Sequence, residues 1–148
     1  DRFVLTDRDL AEEYALRYIE ADKRWWANPR EVAAYELFAD ALRAALDAGV
    51  LSEDDLFGTD EDVLQRLRQS NVDRVEEVLA VFDDGFSVEV DEENPDLVGG
   101  TKPRAVDPVV VADGEQCRVT DYSDKVRQRI REHRAAVEDG FPVRIIRH

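Results

Sequence analysis

Apolar residues recur every three or four positions over roughly the first 84 residues, a spacing typical of amphipathic helices. The first stripe, from Leu10 to Ile19, predicts a helix capped by the Thr6 side chain, with Asp9 at the reciprocal capping-box position. A residue before proline is disfavoured in a helix, whereas proline suits the first helical position, so Asn28-Pro29 should end this helix and begin the next. We expect these two helices to pack as a pair. The apolar face of the second helix comprises Tyr35, Phe38, Leu42, Ala45 and Leu46.

Capping residues divide the rest of this helical region. Gly49 is placed to end the second helix in a left-handed conformation. A capped single turn is expected at 52–58, and Thr59 should open a third helix that runs to about Gln69. A fourth helix should restart at Ser70 or Asn71 and end at Gly85.

After Gly85 the hydrophobic period changes from helical to alternating, which is typical of strands. The predicted elements are a strand at 86–90, an acidic loop at 91–100, a hairpin of 106–112 and 116–119 around Asp113-Gly114, a helix at 121–139 and a strand at 143–146. The pattern therefore predicts an α+β fold. We expect a helical subdomain at 1–84 and an α+β subdomain at 85–148 with a small antiparallel sheet, packed as one unit.

The strongly negative net charge limits the kinds of molecule that the protein is expected to bind. The formal net charge is −15, from 35 acidic and 20 basic residues, which argues against a general affinity for nucleic acid polymers or anionic membranes. Lysine is scarce, so the surface suits either a halophile or a high-GC mesophile. The chain lacks the long apolar run of a membrane span and the pattern of a signal peptide, which predicts a cytoplasmic protein.

No complete catalytic or metal-binding motif is present in the sequence. The single cysteine, Cys117, is expected to be a small buried hydrophobe in a strand. His133 and His148 have no partner at ligand spacing, and we expect both to be exposed to solvent. The chain begins with Asp1 and has no methionine, which suggests a piece of a longer gene product.

Two stretches could bind an anionic ligand. The adjacent Trp25 and Trp26, with Arg17, Lys23 and Arg24 around them, form an aromatic and cationic corner suited to a phosphate-bearing ligand. Lys102 and Arg104 follow Gly99-Gly100, either as phosphate contacts or as an ordinary turn before an edge strand. The basic part of the last helix should pair with acids of the same chain, or form a subunit contact or an anionic-effector site. Its members are Lys125, Arg127, Arg129, Arg131 and Arg134.

The order of these features resembles the C-terminal region of HD-superfamily phosphohydrolases, including the deoxynucleotide triphosphohydrolase-like branch. The stretches that resemble this family are Arg17, Trp25 and 32–35, then 49–67, then 102–108 and 140–145. The family's His and His-Asp metal motif is missing from this chain. Relatives often have a histidine where this chain has Ala21 and a tyrosine where it has Trp25, which puts a nucleoside triphosphate substrate in doubt.

The resemblance implies a C-terminal accessory part of a metal-dependent phosphohydrolase acting on nucleotides or phosphoesters. Such a part would be inert without an N-terminal catalytic part that holds a divalent metal. It also implies that Arg17 contacts a substrate phosphate and that Arg24 and Trp25 form the pocket wall. The alternative is a non-catalytic interaction or oligomerisation module, with a homo-oligomer as one outcome.

Overall fold

The chain folds as an α+β protein, which confirms the predicted class. The computed structural model describes residues 4–112 and 114–148, so Asp113 of the predicted hairpin turn lies outside the described residues. The helices are α1 (Arg8–Trp25), α2 (Pro29–Asp47), α3 (Asp60–Arg68), α4 (Asp73–Asp84), α5 (Val119–Tyr122) and α6 (Asp124–Glu138), with a 3₁₀ turn at Glu53–Phe57. The strands are β1 (Val4–Leu5), β2 (Phe86–Val90), β3 (Leu97–Gly99), β4 (Val109–Ala112), β5 (Glu115–Arg118) and β6 (Phe141–Arg147).

The chain forms two compact units that differ from the predicted division after residue 84. Unit 1 contains the described residues up to Val32 together with Val98–Phe141. Unit 2 contains Ala33–Leu97 and Pro142–His148. Each unit is thus built from two separate stretches of chain, a long-range arrangement that local periodicity does not reveal.

Unit 1 packs helices α1, α5 and α6 with the sheet β1-β4-β5. The β4–β5 hairpin is antiparallel as predicted, but β1 pairs in parallel with β4, Leu5 lying opposite Val110. Helix α1 packs mainly against α6 and also against α5, so the predicted pairing of the first two helices is wrong for α1. The buried apolar residues of this core are Ala11, Ala15, Ile19, Val110, Val119, Val126 and Ile130.

The second sheet has the strand order β2-β6-β3. Strands β2 and β6 are antiparallel, with Phe86 opposite Arg147 and Val90 opposite Val143. Strand β3 lies within the stretch predicted as a loop, because three residues are too few to show an alternating pattern. The unit 2 core is a buried apolar cluster. Its members are Ala33, Leu37, Ala41, Ala45, Leu51, Leu67, Val75, Val78, Val81, Phe86 and Val143.

Of the five residues predicted for the apolar face of helix α2, only Ala45 is fully buried. Its most buried positions in unit 2 are Ala33, Leu37, Ala41 and Ala45 at four-residue spacing, whereas Tyr35 is 63% exposed. The small alanines allow close packing, and three bulkier predicted residues are only partly buried beside them. Gly49 ends the helix with φ 70°, as expected.

The capping residues of the helices agree with the prediction for α2 and α3 but not for α1. Asn28 Oδ1 accepts the Glu31 N–H at 3.0 Å, so Asn28 caps α2 at the predicted boundary, and Thr59 caps α3 as expected. Helix α1 is capped by Asp7, which accepts the Leu10 N–H at 3.0 Å, rather than by Thr6. The predicted final helix is interrupted at Ser123, whose hydroxyl caps α6.

The fourth helix starts at Asp73, later than predicted. Helix α4 follows Val72, which provides no side-chain cap, rather than Ser70 or Asn71. None of the described helices is both long enough and apolar enough to cross a bilayer.

Candidate functional site

A buried acid and a buried imidazole meet inside unit 1. Asp22, in the last turns of α1, is 0% exposed, and His133, in the middle of α6, is 1% exposed. The Asp22 Oδ2 atom lies 2.7 Å from His133 Nε2. The prediction that His133 is exposed is therefore wrong, because this position continues the buried stripe of α6 with Val126, Ile130 and Val137.

The same carboxylate holds Arg104, which is 82 residues away along the chain. The Arg104 backbone N–H donates to Asp22 Oδ2 at 2.8 Å, and its Nη1 atom lies 3.5 Å from Oδ1. Asp22 is completely buried while the Arg104 side chain is 44% exposed. A buried group thus fixes the position of a partly exposed cation.

The role of His133 is structural, because its ring is hydrogen-bonded to Asp22 inside the unit. A carboxylate can only accept, so with Asp22 in that form His133 Nε2 is the donor. The other ring nitrogen, Nδ1, is buried without a hydrogen-bond partner among the described residues. Because neither atom is open to a substrate, the Asp22–His133 pair positions Arg104 rather than acting on a ligand itself.

Arg104 belongs to an exposed aromatic surface at the end of α1. Its guanidinium lies 5.7 Å from the Trp26 ring centroid, and that of Arg24 lies 4.8 Å from the Trp25 ring centroid. Both contacts are within cation–π range. We call the set Arg24, Trp25, Trp26 and Arg104 the tryptophan corner. Three of the predicted site residues therefore belong to this set, Arg24 in contact with Trp25 and Arg104 in contact with Trp26.

The other two predicted site residues are not held at this corner. Arg17 has a side chain that is 79% exposed and forms an ion pair with Glu13 at 2.6 Å. Lys102 is exposed and has no hydrogen bond or ion pair within the described part of the chain. Neither side chain is therefore oriented toward a ligand by the residues of this structure.

A second polar link joins α1 to α6. The Ser123 hydroxyl donates to Glu12 Oε2 at 2.7 Å, and Lys125 Nζ lies 3.4 Å from Glu12 Oε1. The hydrogen bond from Ser123, with a smaller contribution from Lys125, holds the pKa of Glu12 below its ordinary value despite an opposing effect of burial. Burial raises the pKa of Tyr122, whose hydroxyl donates to the Arg8 carbonyl at 3.0 Å.

The described residues do not fit a divalent metal. No group of three or more His, Cys, Asp or Glu side chains is arranged to hold an ion within 4–112 and 114–148. The Asp22–His133 pair offers two donors at most, and both are engaged or enclosed. Cys117 lies partly buried on β5 beside the unit 1 core.

Comparisons with known proteins give one distant relative and no family. The chain is 33% identical over 120 residues to the uncharacterized protein YdhJ of Bacillus subtilis (strain 168). That alignment includes 81% of this chain but spans only 37% of the relative's length. No protein-family model matches the chain, and no solved structure matches it significantly.

Proposed function

We propose that this chain is the C-terminal accessory part of a cytoplasmic, metal-dependent phosphohydrolase of the HD superfamily, acting on a nucleotide or another phosphoester. In this proposal the tryptophan corner forms one wall of the substrate site. The divalent metal and the residues that activate water belong to a catalytic part outside this chain, because the described residues do not fit a metal.

The main support is the placement of Arg104. Asp22 fixes its backbone from inside unit 1, and Trp26 lies beside its guanidinium. Arg24 and Trp25 supply a second cation and a second ring in the same short stretch. Guanidinium groups suit phosphate because their planar array of donors matches the phosphate oxygens, and an indole face can pack against a nucleobase.

The sequence resemblance and the distant relative add weaker support. The motifs that resemble HD-superfamily proteins are spread over most of the chain, and they include Trp25 and the stretch 102–108. The relative is a longer protein than this chain, as a protein with an additional catalytic part would be.

Activity of the full-length protein tests this proposal. With manganese as the probe metal, it should hydrolyse at least one member of a panel of nucleoside phosphates and phosphomonoesters. Arg104→Ala should raise KM about tenfold, which corresponds to about 1.4 kcal/mol of substrate binding. Arg68→Ala is the matched control, because Arg68 pairs with Asp83 on the surface of unit 2.

Two results would contradict the proposal. One is a full-length protein with no hydrolysis of any phosphoester in the panel. The other is an Arg104→Ala variant with the kinetics of the unmodified protein. Arg17→Ala adds a test of the residue that the resemblance assigns to a phosphate, since its side chain contacts only Glu13 among the described hydrogen bonds and ion pairs.

A non-catalytic interaction module is the second candidate, and an exposed aromatic residue favours it. Phe57, in the 3₁₀ turn of unit 2, is 89% exposed, which leaves a whole apolar ring available to a partner. Sizing of the chain at low and high salt tests this alternative. A self-associating species that Phe57→Ser disperses would support it, and a monodisperse monomer at both salt concentrations would count against it.

A further inference from the structure

Three arginines of α6 line one edge of an open cavity in unit 1. Arg127, Arg131 and Arg134 are spaced by four and three residues, which places them as neighbours along one helix face. The cavity has a volume of about 490 Å³, and Thr120 and Ile130 also line it. This surface, which we call the arginine face, is separate from the residues of the tryptophan corner.

Two of these arginines lack the partners that other basic residues of the helix have. Lys125 pairs with Glu12, Arg127 with Asp124 and Arg129 with Glu132, at 2.7 to 3.6 Å. Arg131 and Arg134 have no hydrogen bond or ion pair within the part of the chain that the structure describes. Intramolecular pairing therefore explains part of the basic helix and leaves these two guanidiniums available.

The carboxylates beside the arginine face are already engaged by other groups. Asp107 accepts the Thr120 N–H at 3.0 Å and the Thr120 hydroxyl at 2.7 Å. Asp121 accepts the Arg118 N–H at 2.7 Å. Both carboxylates line the cavity, and Asp107 Oδ2 also lies 4.0 Å from Arg118 Nη1. With Arg127 paired to Asp124, the two unpaired guanidiniums at the cavity are those of Arg131 and Arg134 among the described residues.

We propose that the arginine face binds a small phosphate-bearing ligand, with Arg131 and Arg134 as the phosphate contacts. A guanidinium presents a planar fork of donors that matches phosphate oxygens, and two forks on adjacent turns can hold one phosphate or a pair of them. The cavity volume lies within the range of roughly 300–1,000 Å³ that is usual for small-molecule sites.

The rest of the site suits an ester better than a polymer. Arg127 is oriented by the Thr120 carbonyl, to which its Nε donates at 3.1 Å, and the 8% of Ile130 that is exposed adds a small apolar patch to the lining. A nucleic acid polymer would meet the strongly acidic surface around this small basic patch. The inference does not rest on the proposed hydrolase activity, because it uses different residues.

Calorimetric titration of the chain with inorganic pyrophosphate and with glucose 6-phosphate, at low ionic strength, tests the proposal. Saturable one-site binding of at least one probe is expected. Arg131→Ala and Arg134→Ala should each weaken it at least tenfold. Circular dichroism should show that both variants are folded, since both side chains are exposed.

Arg129→Ala is the matched control, because it removes the same charge from the same helix while Arg129 is outside the cavity and pairs with Glu132. Its affinity should stay within twofold of the unmodified chain. The proposal is overturned if neither probe binds saturably. Equal weakening by Arg129→Ala would overturn it as well, because that result means attraction to the general charge of the helix.

Discussion

The interiors of the two units differ in their chemistry. Unit 1 encloses a carboxylate and an imidazole, Asp22 and His133, in contact with each other. In unit 2 the one buried polar side chain among the described residues is Ser70, whose hydroxyl donates to the Leu67 carbonyl at 2.7 Å. Unit 2 is thus stabilised by apolar packing, whereas unit 1 also depends on the buried hydrogen bond between Asp22 and His133.

The buried polar pair of unit 1 also fixes a residue at the surface of that unit. A buried polar pair favours one arrangement, because any other arrangement leaves its groups without partners. In unit 1 that arrangement includes the backbone of Arg104, and hence the tryptophan corner. Unit 2 has no comparable link from a buried charge to an exposed cation among the described residues.

Removal of the buried carboxylate should have the largest effect on stability. Asp22→Ala leaves the His133 ring and the Arg104 N–H without their acceptor, and we expect a loss of about 1–3 kcal/mol in the free energy of unfolding for each orphaned donor. Urea denaturation measures it. The control, Asp83→Ala, removes an acid from an exposed pair with Arg68 and should cost about 0–1 kcal/mol. A loss below about 1 kcal/mol for Asp22→Ala would refute the structural importance of the pair.

A core truncation probes the apolar interior of unit 2. Leu67 is completely buried, so Leu67→Ala should cost about 2–5 kcal/mol through lost burial and the remaining cavity. The same urea experiment applies. Leu64→Ala is the matched control on α3, because Leu64 is only partly buried and should cost less. Equal losses for the two variants would show that Leu67 is not a central core residue.

A backbone substitution at the end of α2 should have a smaller effect. Gly49 has φ 70°, a conformation that costs a residue with a side chain about 1–2 kcal/mol. Gly49→Ala should therefore lower the thermal midpoint, although no atom lies within 4 Å of the Cβ that the alanine would add. Gly100→Ala, at a position that also has open space but no positive φ, should leave the midpoint nearly unchanged. A shift of the same size in both variants would exclude backbone strain as the cause.

The Glu12–Ser123 contact should produce the smallest effect, visible as a change in pH dependence. Ser123→Ala removes the hydrogen bond that lowers the pKa of Glu12, so a carboxyl NMR titration should show a higher midpoint in the variant. Ser52→Ala is the control, because Ser52 instead lowers the pKa of Asp55 through its N–H and hydroxyl. An unchanged Glu12 midpoint in Ser123→Ala would contradict the contact.

The sign of the stability effect follows from the lowered pKa. Because the pKa of Glu12 is lower in the folded than in the unfolded chain, the contact stabilises the fold above the unfolded value of about 4.3. That contribution is lost as the pH falls through the folded pKa. Between pH 6 and 8 it should be constant.

Local chemistry made many elements predictable from the sequence. Asn28 and Thr59 each cap a helix by accepting a free backbone N–H of its first turn, as short polar side chains commonly do. Gly49 and Gly85 adopt positive φ at helix ends. The strand β1 was missed because two residues show no period, and it pairs with a strand more than 100 residues away.

The candidate site was only partly predictable, since its central contact joins residues that are 111 positions apart. A signal for it was nevertheless present. Asp22 continues the buried stripe of Ala11, Ala15 and Ile19, and His133 continues the stripe of α6. A polar residue in phase with each of two apolar stripes indicates a buried polar pair. The exposed residues Arg17 and Lys102 gave no such signal.

The most direct test of the central claim is a double-mutant cycle on the full-length protein, with KM for a hydrolysed phosphoester as the readout. If Asp22 acts by positioning Arg104, Asp22→Ala and Arg104→Ala should each raise KM about tenfold with little change in kcat, and the double variant should be no worse than Arg104→Ala alone. Additive increases, or an unchanged KM in the folded single variants, would contradict the account.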